Sequence, residues 1–121
     1  MSDRFGPNTA QVEAFLRVLR GLSGEQIETA RADWDAASDA AWAAARDAAW
    51  DAARDADWYA ARAAARAAAR DTVWDAVWGP AWDAAVALVV RDLISQEHFD
   101  TLTAPMRAAG VNFDTLGDNG E

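Results

Sequence analysis

The sequence predicts an all-α protein, a compact bundle of about five to seven helices. Three observations carry this. Alanine, the best helix former, dominates the middle of the chain. No Gly or Pro interrupts residues 25–78. A four-residue repeat built on Trp, Arg, Asp and Ala then organises residues 34–82.

The first helix opens near Asn8, with Gln11 three positions on in a capping-box arrangement. Val12, Phe15, Leu16 and Leu19 fall on one helical stripe, and Gly21 is expected as a left-handed stop. Ser23 and Gln26 repeat the capping signature, and Ile27 and Ala30 begin the apolar face of a second helix.

Stepping by four from residue 34 then meets Trp34, Ser38, Trp42, Arg46, Trp50, Arg54, Trp58, Arg62, Arg66, Arg70, Trp74, Trp78 and Trp82. All seven tryptophans lie on this register. The following position is usually Asp and the other two are nearly always Ala, so the unit reads [Trp/Arg]-Asp-Ala-Ala. At about 100° per residue, a step of four overshoots one helical turn by about 40°. A short segment is therefore amphipathic, whereas a long straight helix would wind its indoles right round the axis.

Two architectures follow. Either the stretch divides into short helices that bury their own indoles in a bundle, or it forms one rod of about 80 Å at ~1.5 Å per residue, packed in an oligomer. An isolated solvated rod is the least expected, because Asp47, Asp51 and Asp55 repel one another at i,i+4, and the compact bundle is favoured over the packed rod. Ser38-Asp39, Asp55-Ala56-Asp57 and Asp71-Thr72 are the expected breaks, since Asp and Ser suit caps better than helix interiors. The tryptophans are expected as the large half of a large–small packing scheme, with Arg at i±4 lying over their rings.

Gly79-Pro80 punctuates the chain and starts its most apolar helix, with Trp82, Val86, Leu88, Val89, Val90, Leu93 and Ile94. That helix is expected at the centre of the core. Ser95 is placed to cap a short helix carrying Phe99 and Leu102, and Pro105 to start a last turn ending at Gly110. Val111, Phe113 and Leu116 then return to the body. The domain reading is a flexible stretch over residues 1–7, one helical domain over 8–116 and a flexible tail over 117–121.

Composition removes several functions. With no Cys and one His, disulfides, zinc–thiolate centres, cysteine nucleophiles and multi-histidine metal sites are excluded. The net charge of −9 opposes direct binding to nucleic acid and to anionic membranes. The longest charge-free apolar run, Ala84 to Val90, is too short for a membrane span, and no signal pattern opens the chain, so a cytoplasmic location is expected. No phosphate loop, calcium loop or Glu-x-x-His pair is present. Glu97-His98 with Asp100 is the one cluster resembling acid–base equipment, and it reads better as a helix start. No catalytic residue, metal or cofactor is expected.

The charge is segmented. Residues 33–57 carry a net of −5, Arg62, Arg66 and Arg70 form a positive belt, and residues 71–121 carry a net of −7. An antiparallel neighbour, from this chain or another copy, would set the Arg belt against an acidic stretch. Asp35, Asp39, Asp47, Asp51, Asp55, Asp75 and Asp83 form the expected partner-binding acidic flank.

The repeat from Ala40 to Ala85, the segment RDLISQEHFDTL at 91–102 and the lead-in FLRVLRGLSGEQIETA resemble Ala- and Trp-rich uncharacterised actinobacterial and actinophage proteins over about residues 10–113. Ala-rich bacterial immunity proteins are a more distant likeness. The group has no assigned activity, so the resemblance implies no site residue. The reading is a non-enzymatic accessory or regulatory factor, phage- or mobile-element-borne, that binds an unknown protein partner. The alternatives are an acidic DNA mimic that inhibits a nucleic-acid-binding protein, and an assembly protein acting as a helical homo-oligomer.

Overall fold

Alanine sets how closely these helices approach. A computed structural model describes residues 4–36, 40–56, 58–71 and 78–116. It contains helices α1 (Thr9–Arg20), α2 (Gly24–Ala36), α3 (Ala40–Ala56), α4 (Trp58–Asp71), α5 (Trp78–Val89) and α6 (Gln96–Ala108). Short 3-10 turns at Gly6–Asn8 and Arg91–Leu93 complete it, and no strand occurs among the described residues. The six helices pack together as an all-α compact bundle.

The expected breaks border the ends of the described helices. α2 ends at Ala36 and α3 begins at Ala40, while α3 ends at Ala56 and α4 begins at Trp58. Ser38, Asp39, Asp57 and Thr72 themselves lie outside the described residues.

α5 forms the hub, packing against α1, α2, α3, α4 and α6, and most extensively against α4. Every residue from Ala84 to Val89 on it, and Val90 just after it, is buried. The facing side of α4 is all alanine: Ala60, Ala61, Ala64, Ala65, Ala67 and Ala68. On α5, Ala81, Ala84, Ala85 and Ala87 are equally small and fully covered. Methyl against methyl lets two helix axes approach to the short end of the usual 8–10 Å range.

The large core side chains gather toward α1 and α6. Phe15 of α1 and Phe99 of α6 flank Phe113, with ring centroids 5.5 and 6.0 Å away, and the Phe99 pair is edge-on. Such pairs add about 0.5–1.5 kcal/mol beyond area burial. The Arg91 guanidinium lies 4.4 Å from the Phe99 centroid and donates to the Phe113 carbonyl and the Gln11 Oε1. Val111, Phe113 and Leu116 are buried, so the segment after α6 does return to the body.

Caps follow the sequence in two places and depart from it in two. Ser23 and Gln26 form the reciprocal box: Gln26 N–H donates to the Ser23 hydroxyl, and Ser23 N–H to the Gln26 Oε1. Ser95 accepts from His98 N–H at 3.1 Å and starts α6. Asn8, however, makes no side-chain cap. Its amide instead donates to the Leu88 carbonyl at 2.9 Å, fastening the start of α1 to the end of α5. Gly21 ends α1 with φ at −103°, outside the left-handed region; its N–H reaches back to the Val18 carbonyl.

Pro105 opens no separate turn but lies inside α6, where its ring is buried. A proline there removes one intrahelical bond, and packing of the ring against the core offsets the loss. The left-handed stop expected at Gly21 is found instead at Gly110, with φ at 101°. Within residues 1–7, expected as a flexible stretch, Phe5 and Gly6 are buried, and residues 1–3 lie outside the described residues. Phe5 is 0% exposed, its N–H donates to the Thr9 hydroxyl, and that hydroxyl donates to the Gly6 carbonyl. A phenyl ring so close to α1 is worth more buried than wet, about 1.5–3 kcal/mol. The tail at 117–121 lies outside the described residues.

Candidate functional site

Five tryptophans have described side chains, and none of the five is fully buried. Trp42, Trp50, Trp58 and Trp82 are half-buried against the core, and Trp34 is half-buried as well. Trp34 meets Trp42 edge-on at 6.1 Å, and Trp50 meets Trp58 at 5.4 Å. Arg46 lies over Trp42 and Arg62 over Trp58, each four residues on. The repeat's own spacing makes these contacts, because i and i+4 share one side of a helix. The bulk of each indole closes the seam left where alanine surfaces meet, which is the large–small scheme the repeat predicts.

One polar cluster is built on this scheme. Asp83 of α5 is 5% exposed. Its Oδ2 accepts from the Trp34 indole N–H at 3.5 Å and the Trp42 indole N–H at 3.2 Å. Its Oδ1 faces the Arg46 Nε at 3.7 Å. A single carboxylate thus ties α2, α3 and α5 together. Burial pushes its pKa up, while Arg46 and the two indoles oppose that shift. The cost of taking a carboxylate out of water outweighs the partial compensation by half-exposed donors.

Gly79 makes the seat possible. A Cβ there would lie 2.7 Å from the Trp34 ring, a separation real side chains do not reach. Glycine one turn before Asp83 lets the indole approach the α5 backbone directly.

Asp83 therefore leaves the acidic flank to which its place in the repeat assigned it. The apolar residues on both sides, Ala81 and Ala84 to Val90, turn this part of α5 inward. Asp35 is exposed on α2, and Asp47, Asp51 and Asp55 are exposed on α3. Asp39 and Asp75 lie outside the described residues. Only the α3 trio forms a stripe among the described residues, opposite the buried Ala45, Ala49 and Ala53. Asp51 also pairs with Arg54. Among the described residues the expected flank thus reduces to Asp35, Asp47, Asp51 and Asp55.

On α4 the outward side carries Arg62, Arg66 and Arg70, all exposed and without an ion pair among the described residues. Tyr59 joins them at 84% exposure, one of two large apolar side chains left open to solvent among the described residues. The other, Leu93, borders a cavity of about 280 Å³ shared with Pro7, Ala56, Val89, Val90 and Asp92. Among the described residues that line it, Asp92 is the one titratable group.

Around His98 the geometry is that of a helix start. The Asp100 carboxylate accepts from Gln96 at 2.7 Å and from Arg107 at 2.6 Å, and the Arg107 bond holds its pKa below the ordinary value. Among the described residues no group of His, Asp and Glu is arranged to hold a metal ion. No helix among them is long and apolar enough to cross a membrane.

Comparison with protein-family models, with curated proteins and with solved structures finds no match to this chain.

Proposed function

We propose that this protein is a non-enzymatic accessory factor that binds and regulates another protein through the outward face of α3. The observation that carries the reading is the exposed stripe of Asp47, Asp51 and Asp55, set opposite the buried alanines on a helix anchored by its other side. Carboxylates at i,i+4 repel one another, so the free protein gains nothing from keeping them together. A basic surface laid across them removes that repulsion and supplies complementary charge. Complementary charge of this kind speeds encounter and selects the partner more than it adds raw affinity.

Affinity capture from a host lysate, with the wild-type protein and D47R/D51R/D55R side by side, tests this. A protein retained by the wild type, released by salt and lost with the triple variant is the expected result. Equal capture by both proteins, or by neither, would overturn the assignment of α3.

A further inference from the structure

We infer that one occupant of the α3 face is the α4 face of a second copy of this chain, giving a homodimer held by matched Asp and Arg stripes. The inference deepens the proposed function and rests on the same acidic surface. On α3, the residues Ala40, Ala44, Asp47, Asp51 and Asp55 fall within an arc of about 80° and are all exposed. On α4, the residues Tyr59, Arg62, Arg66 and Arg70 fall within a similar arc of about 80° and are also exposed. The two sets have the same spacing. Ala44 and Tyr59, Asp47 and Arg62, Asp51 and Arg66, and Asp55 and Arg70 are each separated by fifteen positions.

Laid side by side in the same direction, the two helices would therefore meet member for member. Three carboxylates would face three guanidiniums, and the Tyr59 ring would lie on the flat methyl surface around Ala44. Guanidinium and carboxylate suit each other, because the planar fork can donate two bonds to one partner. Within one chain, Arg62, Arg66 and Arg70 make no ion pair among the described residues, and each helix turns its stripe away from the body. Asp51 would exchange its exposed contact with Arg54, a screened surface pair of little worth in water. Tyrosine also carries the chemistry expected at such a contact, a rigid aromatic face that buries area at little entropic cost. Each copy carries both faces, so a two-fold arrangement would make the contact twice.

Light scattering coupled to size exclusion tests the inference on the full chain. At low salt the wild type should have twice the 13.0 kDa of one chain, falling to that single mass near 1 M salt as the charges are screened. R62E/R66E/R70E and D47R/D51R/D55R, each verified as folded by circular dichroism, should both be monomers. Mixed in equal amounts they should form a dimer again, because each supplies the charge that the other's altered face now lacks.

A wild type that stays at 13.0 kDa at millimolar concentration and low salt overturns the dimer. So does a dimer that survives both charge reversals. The salt series on the wild type decides the matter even if a variant fails to fold. A monomeric wild type that still loses its lysate partner with D47R/D51R/D55R leaves the proposed function standing and removes only the second copy. A salt-sensitive dimer with no lysate partner removes the proposed regulation and keeps the second copy.

Discussion

The two sides of α5 are packed by opposite means. Toward α4 the contact is methyl against methyl, with Ala60, Ala61, Ala64, Ala65, Ala67 and Ala68 meeting a helix that is itself rich in Ala. Toward α1 and α6 it is built from Phe15, Leu16, Phe99, Leu102 and Met106, with Phe113 between. The first surface gains stability from close backbone approach and from helix propensity. The second gains it from apolar area, at about 0.8 kcal/mol per buried methylene group. Alanine pays almost no side-chain entropy on burial, so the α4 side needs less area to hold. It also has no room to yield.

Phe99→Ala strikes the area-rich side and should cost the most, about 3–5 kcal/mol, because it opens a cavity between Phe113 and α6. Urea denaturation followed by circular dichroism measures it. A loss under about 1 kcal/mol, the level of an ordinary surface change, would show that the aromatic cluster is not the main source of stability. On the methyl side, enlargement should do the harm. Ala64→Leu should cost about 1–3 kcal/mol through overpacking, whereas Ala43→Leu on the exposed part of α3 should stay within about 0.5 kcal/mol. Equal effects at the two positions would mean that α4 and α5 are not in close contact.

The smallest expected effect is a pH dependence at the seam, where Asp83 joins the two halves of the repeat. Its folded pKa is raised above the ordinary 3.8, chiefly by burial. The folded state thus holds the proton more tightly than the unfolded chain does. Asp83 contributes most when protonated, and that contribution is lost as pH rises through its folded pKa. Asp100 has the opposite sign: Arg107 lowers its pKa, so its contribution is present above 3.8 and lost as pH falls through its folded value. D83N should remove the first trend and leave the second, so its stability relative to wild type should improve from pH 4 towards pH 7. Thermal melts across that range, read by indole fluorescence, measure the difference. A gap between the two proteins that does not change with pH would show that Asp83 keeps an ordinary pKa.

Much of the helical layout was legible. The absence of Gly and Pro from 25–78, the capping box at Ser23, the cap at Ser95 and the Asp- and Ser-bearing positions near helix ends are local signals, and local signals act through backbone geometry alone. Asn8, Gly21 and Pro105 read differently in the structure for one reason. Each offered a local role, and a tertiary contact or a packed ring supplied a better one. Phe5 is buried although no periodic pattern in the sequence marks it as a core residue.

The acidic flank was legible where the pattern is repetitive and exposed, on α3. It was misread at Asp83, whose unit matches the others while its neighbours on the helix are all apolar. The Arg belt was visible in the sequence, whereas the exposure of Tyr59 beside it was not, since burial depends on which helices cover a position.

By itself the sequence determined that this chain is helical, where many of its helices begin and end, and that its indoles lie on one register with Arg beside them. Those properties follow from propensity and from the mismatch between four residues and one helical turn. Only the tertiary structure decided which side of each helix is buried, that Trp34 and Trp42 converge on one carboxylate, and that Asp and Arg stripes of equal pitch both face outward. A repeat of nearly identical units is degenerate in isolation, and the packing of α5 against all the other helices removes the degeneracy.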